Sequence, residues 1–356
     1  MRRRPPVTLL LPNRNNERVL DLTLERLAEH TASYPSYELV VVDDGSTDGS
    51  VAILRRWRDE NRLPAMTLIE REHSGVVETL NAGLAAASGE LIVQLDGDAT
   101  VETGGWLERM VDFHESDDRV GVVTPLVTFE GGSIHAAGVN IVSEAGLHDR
   151  GTKPSEPIGR RTVHTLAERM RPEAAGELVT RPAEVDSALG VHMLYAKALA
   201  EEIGGYDPGF SPVWFDDLDL ALSARKLGLK VFYVPGVQIV HRMSLRGERT
   251  ADSGLRKVRK RARSAVASLV PQRFRDAVVQ VERKGTAHPP HELRRLEHHY
   301  AYWREKWGFD LLNPDMAQVL ERYGDSEVCW AYDEVRRGAG EEIVASWDAA
   351  PEASSA

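Results

Sequence analysis

A single cysteine, Cys329, stands in a chain of 356 residues. No intramolecular disulfide can form, and no cysteine cluster can hold zinc or an iron–sulfur centre. This usage suits a reducing compartment, and the cytoplasm is the expected location. Basic charge is also in short supply, with 44 Lys and Arg against 55 Asp and Glu and a net charge of −11. The chain therefore lacks the broad basic surface that a nucleic-acid duplex requires. A small anionic ligand is not excluded, because one metal ion can dominate a site locally. No apolar stretch approaches the roughly 20 residues needed to span a bilayer. The first apolar run, Val7–Leu11, follows Arg2-Arg3-Arg4 and meets Pro12 at once. It is too short for the core of a secretion signal.

The hydrophobic fraction of 42% is that of a folded chain with a sizeable core. Over the first 125 residues, short apolar runs alternate with amphipathic segments. Strands are expected at Val7–Leu11, Glu38–Val42, Met66–Ile69, Leu91–Leu95 and Val120–Thr124. Between them, helices are expected where Leu20, Leu24 and Leu27 recur, after an Asp48 cap, at Val76–Ala87 closed by Gly89, and around Trp106, Met110 and Phe113. This order implies an α/β fold with a mostly parallel sheet between helical layers. Such sheets bind ligands beyond the carboxyl ends of their strands. Further on, the sequence predicts a hairpin over Val127–Val139 turning at Gly131-Gly132, then a long loop over 144–182 with one helix near 163–170. A strand over Glu184–Tyr195, a helix over Asp216–Leu227 and strands at Lys230–Val234 and Val237–His241 follow. The last hundred residues read as helical, and the tail from Ala349 as disordered.

The chemistry is concentrated after the strands. Pro12-Asn13-Arg14-Asn15-Asn16-Glu17 follows the first, Asp43-Asp44-Gly45-Ser46-Thr47-Asp48 the second, and Asp96-Gly97-Asp98 the fourth. Neither a G-x-G-x-x-G turn nor a P-loop is present there. Carboxylates at a sheet end cannot bind a diphosphate directly, but they can hold a divalent cation that does. Asp44 is equally suited to accept from a base N–H or a ribose hydroxyl. Asp216-Asp217-Leu218-Asp219, behind Trp214 and Phe215, is a second acidic cluster. Acids favour the first turn of a helix, yet three in four positions exceed what capping requires. Carboxylates beside aromatic faces suit a sugar. His241, at a strand end, is either structural or converges on the same cation as Asp98.

Together these segments resemble the family 2 glycosyltransferases of GT-A fold. Ser133-Ile134-His135-Ala136-Ala137-Gly138, Glu184-Val185-Asp186-Ser187, Gly204-Gly205-Tyr206-Asp207 and Val240-His241 add a likeness to the longer bacterial members. The likeness covers about residues 5–247. It implies a UDP- or dTDP-sugar donor, a Mg2+ or Mn2+ cofactor and inversion at the anomeric carbon. Asp98 and His241 would then hold the metal. Pro12, Asn13, Asn15, Glu17, Asp44, Asn81, Asp96 and Gly190 would bind the nucleotide-sugar, Asp217 would be the base, and Trp214 and Asp216 would meet the acceptor. That acceptor would be a glycan, a lipid-linked, peptide or small-molecule hydroxyl. His192 stands where the family often has a small residue near the sugar pocket, and Leu80 where arginine is usual.

The expected division is a transferase domain over 1–250, with a nucleotide-binding half 1–125 and an acceptor half 126–250. A helical region 251–348 and a tail 349–356 follow. The dense basic run 255–263 reads as a solvated helix face, with peripheral contact to an anionic membrane as the alternative. The segment from His298 to Asp310 reads as a helical packing face, leaving acceptor binding or a homodimer open. Two other functions fit parts of the pattern. A nucleotidyltransferase would need a glycine-rich basic loop after the first strand. A non-catalytic sugar-nucleotide-binding protein would not need the Asp217 carboxylate.

Overall fold

The apolar runs fold as successive strand–helix units. The structure is a computed structural model that describes residues 4–141, 152–154, 163–166, 171–245, 290–309, 311 and 342–347. Strand β1 (Val7–Asn13) is buried at every position. It lies between β2 (Tyr37–Asp44) and β4 (Leu91–Leu95), with β3 (Met66–Arg71) beyond β2, all parallel. The crossovers are α1 (Leu20–Thr31), α2 (Ser50–Asp59) and α3 (Val76–Ala86). They are followed by β5 (Ala99–Val101), α4 (Trp106–His114), β6 (Val120–Phe129), β7 (Ile134–Ala136) and β8 (Val139–Ile141). After β9 (Thr152–Pro154) and β10 (Val163–Leu166) come the short helices α5 (Pro172–Ala175) and α6 (Glu177–Thr180), then β11 (Ala183–Val185). The body closes with β12 (His192–Ala196), α7 (Lys197–Ile203), α8 (Asp216–Lys226) and β13 (Lys230–His241), and α9 (Pro290–Trp307) follows.

The main sheet runs β11-β13-β6-β12-β4-β1-β2-β3. Strand β12 is antiparallel to both neighbours, as is β11 to β13. One face buries Leu24, Trp57, Trp106 and Phe113 beneath the helices. The other buries Leu80, Tyr195, Tyr206 and Ala221. Each fully buried Leu or Val contributes about 1.5–3 kcal/mol relative to exposure. At Gly83 a Cβ would fall 2.0 Å from Leu10 Cδ1, so a glycine lets α3 lie against β1. A third cluster, Phe210, Leu218, Leu222, Trp303 and Trp307, joins α8 to α9. Among the described residues, no helix is long and apolar enough to cross a membrane.

The structure revises several sequence expectations. Gly89 is not the glycine that closes α3, which ends at Ala86 with an extended Ala87. A Cβ at Gly89 would lie 2.4 Å from the Thr8 backbone nitrogen, so the residue serves a close chain approach. Helix near 163–170 is replaced over Val163–Leu166 by strand, paired with β8 and β9. The strand expected over Glu184–Tyr195 is two strands, β11 and β12. Between them Asp186 Oδ2 accepts from Ile141 N–H, which turns the chain out of the sheet. The strands at 230–234 and 237–241 are one, interrupted at Gly236 (φ 79°) by a register shift. Gly49, and not Asp48, is the cap residue of α2; Asp48 stands one position further out and accepts from Ser50 N–H. The basic run 255–263, Cys329 and the tail 349–356 lie outside the described residues.

Candidate functional site

The strand ends place their acidic loops side by side. Asn13, ending β1, donates through Nδ2 to Asp43 Oδ2 at 2.7 Å. Asn15, at φ 55°, accepts from Thr47 N–H, and Glu17 accepts from Gly49 N–H. Pro12 accepts from Gly97 N–H. The first loop is thus laced to the second and fourth. Gly97 must be small, because a Cβ there would lie 2.8 Å from Asn16 Nδ2 and 2.9 Å from Asn13 Oδ1.

Asp44 is almost wholly buried. Ser74 N–H donates to Oδ1 at 2.7 Å, Gly75 N–H donates to the same carboxylate, and His73 Nδ1 lies 2.7 Å from Oδ2. Burial pushes this carboxyl up, but the bonds from Ser74, His73 and Gly75 outweigh it and hold it below the ordinary value. The 73–76 segment is pinned in turn to the far side of the site. Val76 N–H donates to Pro212 O at 2.7 Å, and a Cβ on Gly75 would meet Pro212 at 2.3 Å.

The fourth strand delivers Asp96 and Asp98. Asp98 is fully buried and Asp96 partly so. Strand β5 pairs with the end of β13, setting Ala99 opposite His241, and Arg242 N–H donates to Asp98 O. Asp96, Asp98 and His241 each offer a ligand atom, and these atoms lie within 4.8 Å of one another. His241 Nε2 is 3.4 Å from Asp98 Oδ1 and makes no hydrogen bond among the described residues. Two carboxylates and an imidazole suit a divalent cation, and a bound cation would satisfy the buried nitrogen.

The second cluster opens α8. Trp214 (φ 83°) and Phe215 (φ 69°) lead into it in left-handed backbone, a conformation that costs non-glycine residues about 1–3 kcal/mol each and gathers at functional sites. Asp216 is 7% exposed, whereas Asp217 is half-buried. Burial, then the neighbouring Asp217 charge, pushes the Asp216 carboxyl up, and Asp96 and Asp219 add to it. Asp96 therefore faces this cluster electrostatically. Burial also raises Asp217, opposed by hydrogen bonds from the Gly190 and Leu218 N–H groups to its two oxygens, both at 2.8 Å. Asp219 is spoken for, since Lys306 Nζ and Trp307 Nε1 of α9 both bind it.

Of the expected site residues, Pro12, Asn13, Asn15 and Glu17 build loop walls, while Asp96, Asp98 and His241 converge on one point. Gly190, just ahead of β12, meets Asp217 at the start of α8, next to Asp216. Trp214 packs partly into the third cluster, beside Leu218 and Trp303. Asn81 stands apart. Its amide donates to Tyr206 O and accepts from Tyr206 N–H. His192 is no pocket residue. It is fully buried, edge-on to Trp106 at 5.1 Å, and burial lowers its pKa to about 3.

Sequence reasoning missed a buried relay. Tyr195 and Tyr206 share a hydrogen bond, Tyr206 donates to Gln94 Oε1, and Gln94 Nε2 donates to Gly190 O. This relay holds the Gly190 peptide that binds Asp217. The available signal was Gln94, a polar residue within the apolar run Leu91-Ile92-Val93-Gln94-Leu95.

Acidic loops beyond the strand ends of a mostly parallel sheet, with a carboxylate–histidine group and a second acidic cluster at a helix start, sit on a GT-A fold. Residues 8–164 match the sequence family described as glycosyl transferase family 2. The O-antigen biosynthesis protein RfbC of Myxococcus xanthus is 27% identical over 253 residues, covering 70% of this chain and 18% of that protein. The dodecaprenyl-phosphate galacturonate synthase of Rhizobium johnstonii is 35% identical over 94 residues, 26% of this chain and 28% of that one. The chain thus spans less than a third of the length of either relative. In fold it is similar to GalNAc-T7, solved with UDP, GalNAc and Mn2+, with a TM-score of 0.51 and 18% identity, over 67% of this chain and 44% of that one.

Proposed function

We propose that this protein is an inverting, metal-assisted glycosyltransferase that moves a sugar from a UDP- or dTDP-sugar to an acceptor hydroxyl. The observation that supports the reading is the convergence of Asp96, Asp98 and His241, whose ligand atoms lie within 4.8 Å of one another. Asp98 and His241 would hold Mg2+ or Mn2+ with Asp96. When bound, the cation supplies positive charge against the leaving nucleoside diphosphate. Asp44, kept ionised by its three donors, offers acceptor oxygens to the base or ribose. Asp217 is the base. Two backbone N–H groups orient its carboxylate, its half-buried position leaves it reachable, and its raised proton affinity favours taking the acceptor hydroxyl's proton.

The names of the two curated relatives favour a polysaccharide or lipid-linked acceptor. Residues 1–250 would form the transferase proper, with α9 as a brace behind the acidic helix start. The test is a thermal-melt screen of UDP-, dTDP- and GDP-sugars with Mn2+ and with chelator. A donor at a hundred times its Kd stabilises by about 2.7 kcal/mol. The melt should rise with UDP- or dTDP-sugars, only when metal is present. Equal stabilisation in verified metal-free solution would remove the cation from the reading.

A further inference from the structure

His135 is not among the carboxylates and imidazole that converge at the strand ends, yet it touches one of them. Strand β7 folds back on β6 as a hairpin, and β6 lies parallel to β13 with Phe129 opposite His241. The hairpin brings His135 against the outer edge of His241. The two Nδ1 atoms are 3.2 Å apart, and the rings are near-parallel at 22°. Phe129 stacks on His135 at 4.3 Å and fixes its plane.

A neutral imidazole carries one N–H and one lone pair. If the proton of His241 sits on Nε2, the ring points N–H at Asp98 and offers a cation nothing. If it sits on Nδ1, the lone pair at Nε2 faces Asp98. Nε2 is buried and has no hydrogen bond among the described residues, whereas Nδ1 has a partner at hydrogen-bonding distance. We propose that His135 is a positioning residue for the cation site, accepting the Nδ1–H of His241 and so holding the tautomer whose Nε2 lone pair is turned toward Asp98. His135 then carries its own proton on Nε2. No net charge changes and no proton leaves the pair. The proposal rests on the cation reading given above.

The experiment is Mn2+ titration of the full chain without donor or acceptor, following free Mn2+ by electron paramagnetic resonance. His135→Phe keeps a flat ring for Phe129 to stack on and removes the acceptor. His135→Asn restores an acceptor oxygen near the place of Nδ1. Loss of a residue that orients a metal ligand typically costs about 10–100-fold in metal affinity. His135→Phe should weaken Mn2+ binding by that order, and His135→Asn should recover most of it, with all melting temperatures within the wild-type range. His241→Ala is the control that must also weaken binding. If wild type binds and His241→Ala does not, while His135→Phe binds as wild type does, the tautomer role is wrong and the cation site stands. If Asn and Phe weaken binding equally, the acceptor role is likewise wrong. If wild type binds no Mn2+, the cation site itself fails, and the tautomer role with it.

Discussion

Asp216 and Asp217 are adjacent in the chain and opposite in circumstance. Asp217 keeps contact with solvent and two backbone donors, while Asp216 is enclosed and surrounded by like charge. Asp217→Asn should lower the single-turnover transfer rate by about a hundredfold to ten-thousandfold, with donor affinity unchanged in a parallel titration. Asp216→Asn should instead stabilise the metal-free fold by about 0.5–2 kcal/mol, as removal of a strained functional group commonly does. The sign follows from linkage. The folded carboxyl is raised above the ordinary 3.8, so its contribution is fully present below that value and is lost as pH rises through the folded one. Metal-free wild type should lose stability from this pair toward neutral pH in urea melts, and Asp216→Asn should flatten that slope. The strings at strand ends that carry Asp44, Asp96 and Asp98, and the acidic helix start that carries Asp217, were recognisable in sequence. Gln94 and His135 were not, because each acts through a partner about a hundred residues away, and nothing local marks the pairing. The bonds of Asn81 to the backbone of Tyr206 were not legible either, for the same reason.

At the scale of elements, α9 is fastened to the acidic helix rather than merely laid on it. Lys306 binds both Asp207 and Asp219, Trp307 binds Asp219, and His299 Nε2 lies 3.0 Å from Ser211 O. Trp303 is fully buried among Phe210, Phe215 and Trp307. Lys306→Ala leaves the buried Asp219 short of its cation, and should cost about 1–3 kcal/mol in urea melts. Asp219→Asn added to it should cost less than the two single changes summed, because the residues share one interaction. A loss of turnover larger than the loss of donor affinity is expected for both, since α9 supports the start of α8 and not the loops after β1, β2 and β4. The aromatic spacing of 300–309 already read as a packing face. Its target could not be read, because the anchoring aspartate lies nearly ninety residues earlier. Apolar runs bounded by turns gave most strands correctly. The errors fell where tertiary pairing overrode local pattern, as at Val163–Leu166, which becomes strand through β8 and β9.

Across the whole molecule, the parallel half of the sheet was readable because each crossover leaves an apolar strand followed by a helical period. The antiparallel insertion of β12 between β4 and β6 was not, since it depends on how a distant segment returns. Gly75 and Pro212 form one of the contacts between the loops after β2 and β3 and the later segments. The same short segment that grips Asp44 donates Val76 N–H to Pro212, two residues before Trp214. A donor base that takes up Asp44 must share it with Ser74 and Gly75, and any adjustment there bears directly on the strained turn ahead of Asp217. Substrate addition should accordingly be ordered, with the donor first. In steady-state product inhibition, the nucleoside diphosphate should compete with the donor and act noncompetitively against the acceptor. A random pattern would show that the Gly75–Pro212 contact carries no kinetic message between the two halves.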